Sequence, residues 1–228
     1  MREDIKREII TTADGSKTIR LPELDEQYHS KHGAINEAKH VFIKNGLDHV
    51  LDKNNPSTVA ILEIGFGTGL NAFITFLEAE KSNLVIDYVG VEAYPVSIKD
   101  AMVMRYPEAL LAKDRESDFE RMHQCMWEQP TRITPNFNIT KRKQFFTDII
   151  DQNQYDLIYF DAFGARVQPE LWTSEIFEKM YEALRVKGIL VTYAAKGSVR
   201  RAMLEIGFEV EKLPGPPGKR EMLRATKN

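Results

Sequence analysis

Residues 61–71 read Ile-Leu-Glu-Ile-Gly-Phe-Gly-Thr-Gly-Leu-Asn: an apolar run, then Gly65, Gly67 and Gly69 at every second position, then helix-forming residues. Glycine lets backbone N–H groups meet a neighbour without a Cβ in the way, and it accepts the positive φ of a sharp strand-to-helix turn. The dinucleotide fingerprint G-x-G-x-x-G would put its third glycine at position 70, which is Leu70. The observed spacing is G-x-G-x-G, with Glu63 just before it. Two readings follow: a tight structural turn, or a turn that a ligand approaches closely.

The elements around the turn narrow the choice. Strand patterns fall at 59–64, 85–93, 155–162 and 188–195, and helical patterns at 69–80, 95–104, 170–185 and 197–206. Continuous apolar strands alternating with amphipathic helices predict a mostly parallel sheet covered on both faces. The strand-like segments 208–214 and 220–226 are joined by the short GPPGK, which permits only an antiparallel pair. A parallel sheet finished by an antiparallel hairpin resembles the Rossmann-like fold of S-adenosylmethionine-dependent methyltransferases. Upstream, residues 1–58 predict an N-terminal extension with a hairpin turning at Asp14-Gly15 and a helix ending at Gly46. The methyltransferase domain is expected over 59–228.

Length and composition bound the rest. A chain of 228 residues suits one domain or one domain with an appended segment. Hydrophobic content of 43% and charged content of 29% are ordinary for a globular protein, and a net charge of −3 argues against a globally basic nucleic-acid binder. The N-terminus lacks the apolar core of a signal peptide, and no apolar run is long enough to span a membrane, so a cytoplasmic protein is expected. Cys125 is the only cysteine, which excludes intramolecular disulfides and thiolate metal clusters. The five histidines show no metal-ligand spacing, so no metal is expected.

Acidic residues recur at strand ends. Glu92 closes the second strand, where a carboxylate accepts hydrogen bonds from ribose hydroxyls; the alternative is a solvated strand end. Asp148, in QFFTDIID, resembles the acid that binds the adenine amino group in methyltransferases, with helix N-capping as its rival. Asp161 ends the most apolar strand. Ligands of open parallel sheets bind beyond the carboxyl ends of the strands, so Glu63, Glu92, Asp161 and the glycine turn converge on one crevice. A capping aspartate explains any one of them, but poorly explains the set.

The blocks FGTGLN, VEAYPVS, DAFGARVQPELWT, VRRAMLEIGF and GKREMLRA, with the N-terminal DEQYHSKHGAINEAKHVFI, resemble the MnmC family of tRNA wobble-uridine methyltransferases over nearly the whole chain. The resemblance implies methyl transfer from S-adenosyl-L-methionine to the amine of 5-aminomethyl-(2-thio)uridine at position 34 of the tRNA anticodon stem-loop. The glycine turn with its flanking and downstream polar residues makes Glu63, Gly65, Phe66, Gly67, Thr68, Gly69, Asn71, Glu92 and Asp148 the candidate cofactor residues. Bifunctional members carry a flavin-dependent oxidase domain after the methyltransferase. With no room for one here, the stand-alone form is expected, its oxidase step falling to a separate protein.

An attacking amine gains positive charge, so a carboxylate that orients it and takes its proton serves the reaction, and Asp161 is the catalytic candidate. Tyr28, Phe163 and Trp172 are candidates to stack on a base, with core packing the rival for Trp172. Arg200, Arg201, Lys219 and Arg220 are candidate phosphate contacts, and surface solubility is the alternative for each basic pair. Lys141-Arg142-Lys143 forms a third basic cluster. Cys125, beside Met122 and Met126, reads as a packing residue on a helix. Two rival functions stay open: another transferase on the same fold, such as a small-molecule methyltransferase or an aminopropyltransferase, and a non-catalytic cofactor- or RNA-binding subunit.

Overall fold

The computed structural model describes residues 6–82 and 84–228. Its centre is an eight-stranded sheet ordered β10-β11-β9-β8-β4-β5-β7-β6. The strands are β4 (Thr58–Ile64), β5 (Val85–Val91), β6 (Thr131–Thr134), β7 (Phe137–Arg142), β8 (Tyr155–Phe160), β9 (Leu184–Thr192), β10 (Glu209–Pro214) and β11 (Glu221–Thr226). β7, β5, β4, β8 and β9 run parallel, while β6, β11 and β10 pair antiparallel at the edges. This is the Rossmann-like methyltransferase arrangement, and the C-terminal hairpin pairs as its short connection requires.

The parallel strands are buried on both faces, which is why they read as apolar runs rather than alternating ones. In β8, Leu157 and Tyr159 face one core while Ile158 and Phe160 face the other. The first core is closed by α3 (Leu70–Ser82) and α6 (Glu116–Gln124); the second by α7 (Ser174–Ala183) and α8 (Gly197–Ile206).

The N-terminal residues build a small antiparallel sheet of β1 (Glu8–Thr11), β2 (Lys17–Leu21) and β3 (Glu26–Gln27). Its first turn is the expected one, with Gly15 at φ +83° donating to the Thr12 carbonyl at 3.0 Å. A helical run follows: α1 (Ala34–Ala38), a π-helical stretch Lys39–Leu47, and α2 (Asp48–Asn54). Its Val41, Phe42, Leu47 and Val50 belong to the first core.

Here one expectation is corrected. The helix does not end at Gly46; it continues to Asn54 and stops at Asn55, which is left-handed at φ 40°. Gly46 is small for another reason: a Cβ there would lie 3.1 Å from Val191 and 3.4 Å from Tyr159, so glycine lets the helix press against the sheet. The predicted helix over 95–104 is shorter, α4 at Ile98–Val103, and 170–185 splits into a 3-10 turn, Pro169–Trp172, and α7. Cys125 lies just past α6 rather than on a helix.

The chain moves outward from β4 through β5 to β7, then returns to β8 on the other side of β4. Such a reversal opens a crevice at the carboxyl ends of the two neighbouring strands. Gly65 follows β4 and Asp161 follows β8; the Asp161 amide donates to the Ile64 carbonyl at 2.9 Å.

Candidate active site

A cavity of about 220 Å³ opens at that reversal. Its floor includes Gly65, Phe66, Gly67 and Asn71 from the turn after β4, and Glu92 after β5. Asp161 and Phe163 after β8 and Tyr28 after β3 complete the side facing the small sheet.

All three glycines of the turn have positive φ: +91° at Gly65, +50° at Gly67 and +74° at Gly69. What lies against them is, in the first instance, the protein itself. A Cβ at Gly65 would sit 2.8 Å from the Asp161 carbonyl, one at Gly67 3.1 Å from the Tyr28 ring, and one at Gly69 2.8 Å from His123 Nε2. The turn is therefore both structural and cavity-lining. Gly65 and Gly67 reach the cavity; Gly69 and Thr68 do not. Thr68 is fully buried, with its hydroxyl 2.8 Å from that of Tyr106.

The Glu92 carboxylate accepts from the Gly67 amide at 3.0 Å and from the Tyr94 amide at 2.9 Å. Burial raises its pKa, and those two N–H groups hold part of the rise back. Each oxygen keeps a lone pair for a hydroxyl in the cavity.

Asp161 and Glu63 are joined by one side chain. Asn71 Nδ2 donates to Asp161 Oδ2 and to Glu63 Oε1, both at 2.9 Å. Glu63 is buried behind Asn71 and does not line the cavity, so it cannot touch a ligand there directly. Burial pushes its pKa well above the carboxylate range. The Asp161 pKa is also well raised, by burial and by repulsion from Glu37, against the Asn71 hydrogen bond and Lys219. A carboxylate of raised basicity is a competent proton acceptor near neutral pH. Its carboxyl is engaged by Asn71, whereas the following turn is closed by backbone bonds from Val167 and Gln168 to the Gly164 carbonyl.

Tyr28 and Phe163 meet edge-to-face at 5.0 Å between ring centroids on the cavity wall. Trp172 does not join them. It is buried, and its indole N–H donates to the Phe163 carbonyl at 2.7 Å, so it holds the Phe163 loop from the core.

Asp148 departs from its expected place. It is exposed inside the 3-10 turn Phe146–Asp148, neither capping a helix nor lining the cavity; Phe145, Phe146 and Thr147 line it instead. The sequence pointed to the right loop but to the residue after those that face inward. His29 was missed: it lines the cavity, its Nδ1 is 3.0 Å from the Thr18 hydroxyl, and burial lowers its pKa to about 4. Gln168, Glu170 and Leu171 also line the cavity, and nothing in their spacing announced it.

The basic clusters are not equivalent. Lys141 is buried with its amine on the His123 carbonyl at 2.6 Å, and Arg142 is held by Asp151 at 2.9 Å, so that trio is not a free patch. Lys219 pairs with Glu37 and lies 3.7 Å above the Tyr193 ring, which removes it from the ready phosphate contacts. Arg220 is exposed and, with Arg166 and Lys196, lines a separate groove beside Tyr193. On α8, Arg201 is exposed and Arg200 half-buried, and neither lines the central cavity.

Comparison with known proteins bears on this geometry. Residues 122–228 match a family model described as S-adenosyl-L-methionine-dependent methyltransferase. The chain is 29% identical over 230 residues to the tRNA 5-methylaminomethyl-2-thiouridine biosynthesis bifunctional protein MnmC of Hydrogenovibrio crunogenus, covering 95% of this chain and 33% of that protein. It is 30% identical over 209 residues to the protein of the same name from Azoarcus sp., covering 86% of this chain and 32% of that protein. The chain thus spans about a third of the length of these relatives. The crystal structure of MNMC2 from Aquifex aeolicus superimposes with a TM-score of 0.75 at 25% identity, covering 99% of this chain and 72% of that one.

Proposed function

We propose that the chain is an MnmC-like methyltransferase that transfers a methyl group from S-adenosyl-L-methionine to the amine of 5-aminomethyl-(2-thio)uridine at tRNA position 34. The product is the 5-methylaminomethyl nucleoside. The observation that carries this reading is the meeting of Asp161 with the glycine turn and Glu92 in one cavity at the β4–β8 reversal.

The residues present fit that cofactor. Gly65 and Gly67 keep side chains away from the cavity floor, and the free lone pairs of Glu92 suit ribose hydroxyls. When bound, S-adenosylmethionine supplies an electrophilic sulfonium methyl. The protein's own part is to bring the amine to it. Tyr28 and Phe163 offer aromatic surfaces for an extruded uracil, the usual way an enzyme holds a base taken out of its stack. Asp161 orients the amine, accepts its proton, and opposes the positive charge that develops on nitrogen. Alignment in a cavity shielded by Phe145, Phe146 and Leu171 supplies the positioning part of the acceleration.

In this reading residues 59–228 form the catalytic domain, and the N-terminal extension contributes Tyr28 to the acceptor side. Arg201 and Arg220 contact tRNA phosphates. Among the described residues no helix is long and apolar enough to cross a membrane, and a tRNA substrate puts the work in the cytoplasm.

The test is methylation of tRNA from cells lacking this activity, with nucleoside mass spectrometry as the readout. Conversion of the aminomethyl nucleoside to its methylaminomethyl form, and no methylation of tRNA without the aminomethyl group, is expected. Transfer to a free polyamine or another small amine, with tRNA untouched, contradicts the proposal and favours the rival transferases.

A further inference from the structure

Asn71, in the cavity floor, fronts a buried polar layer that the reaction does not touch. Glu63, 1% exposed, and Asn71, 3% exposed, sit under Asp161, and the hydroxyl of Tyr88 closes the layer from β5. One amide group, Asn71 Nδ2, serves both carboxyls at 2.9 Å. Among the described residues, Glu63 Oε2, Asn71 Oδ1 and the Tyr88 hydroxyl find no partner of good hydrogen-bond geometry, although the Tyr88 hydroxyl lies beside the Glu63 carboxyl and favours its ionised form. Two ionised carboxylates with only neutral donors beside their shared amide would leave a buried charge poorly compensated, a costly arrangement. A proton on Glu63 removes that charge and adds a donor among the orphaned atoms.

We propose that Asn71 is a positioning residue: its amide, backed by a Glu63 that keeps its proton, fixes the Asp161 carboxyl toward the cavity and leaves Asp161 as the member of the pair that ionises. This rests on the methyl-transfer reading of the cavity, and it assigns Asn71 a part beyond contact with the cofactor.

The Asp161 and Glu92 charges oppose ionisation of Glu63, hydrogen bonds from Tyr88 and Asn71 favour it, Tyr159 of β8 also faces it, and among the described residues no cation stands beside it. Asp161 is faced by Glu37 from the first helical run, by Lys219 from the β10–β11 loop and by Tyr193 beyond β9. The Asn71 hydrogen bond favours the ionised form of both carboxyls, and for Asp161 Lys219 works in the same direction against Glu37. Asp161 alone of the two has a cation beside it and lines the cavity, and that asymmetry places the proton on Glu63.

Two measurements on the 228-residue chain test this. The first is a ¹³C NMR titration of the Glu63 carboxyl, which requires no substrate; its resonance should hold the protonated position through neutral pH. The second is the pH dependence of kcat/KM. Asn71→Leu should move the acidic limb to higher pH by about one to two units, the scale of one hydrogen bond to a charged group. Asn71→Ser replaces it if the leucine variant does not fold. Glu63→Gln, neutral and of the same shape, should recover most of the rate that Glu63→Ala loses. A Glu63 that titrates in the ordinary carboxylate range overturns the inference. So does an Asn71 variant that weakens cofactor binding while its acidic limb stays in place, or a Glu63→Gln as damaging as Glu63→Ala. Should no tRNA be methylated, the functional reading fails, and the titration alone still decides the state of Glu63.

Discussion

The Gly67 amide and the Glu92 carboxylate are joined at 3.0 Å, tying the glycine turn after β4 to the acidic end of β5. The same carboxylate holds the Tyr94 amide, so it shapes the cavity floor and also faces the cavity. Glu92→Ala should weaken S-adenosylmethionine binding by about 1–3 kcal/mol, from ribose hydroxyls left unpaired and a turn less firmly set. Isothermal calorimetry checks it, and an unchanged affinity removes Glu92 from the cofactor site.

His123 makes the fold sensitive to acid. It is 7% exposed, wedged between Phe119 and Phe66, and burial and the Lys141 charge lower its pKa from 6.5 to about 3. A group whose folded pKa is depressed binds protons more readily when unfolded. Its contribution to stability is full above about pH 6.5 and is lost progressively as pH falls toward 3. Between pH 7.5 and pH 5 that loss is about 2 kcal/mol. Denaturant unfolding at the two pH values should show the parent losing about that much more than His123→Gln. Equal losses would mean that His123 does not carry the effect.

The two neighbouring cations of the β10–β11 loop should separate by experiment. Arg220 is exposed, so Arg220→Ala should raise the apparent KM for tRNA and lower the slope of log K against log salt by about 1. Lys219 is engaged with Glu37 and Tyr193 close to Asp161. Lys219→Ala should leave the salt slope nearly alone and shift the acidic limb of kcat/KM upward, because it removes a charge that favours ionised Asp161. A salt slope altered equally by both substitutions would return Lys219 to the phosphate surface.

Much of this was legible in the chain because the signals are local. The apolar runs of β4 and β8, the G-x-G-x-G turn and the short GPPGK link each fix a conformation by their own chemistry. Glu92 and Asp161 line the cavity, as expected from the rule that an open parallel sheet binds ligands at its strand ends. What escaped depends on contacts distant in sequence. Gly46 looks like a helix stop, yet it is small because Tyr159 and Val191 press on it. Lys219 reads as a surface cation until the fold brings Glu37 beside it. Asp148 was chosen for its charge, but backbone direction in a 3-10 turn decides which residue faces the cavity. The Asn71 bridge joins positions far apart in sequence, and no spacing rule announces such a bond.

The account turns on Asp161, and Asp161→Asn tests it most directly, since asparagine keeps the shape and the Asn71 hydrogen bond while removing the proton acceptor. Single-turnover methyl transfer to tRNA bearing the aminomethyl group should be measured on a variant whose melting temperature and cofactor affinity match the parent's. The rate should fall by about 10²–10⁴, the range for a positioned base and electrostatic group. A folded, cofactor-binding Asp161→Asn variant that methylates at nearly the parental rate would contradict it.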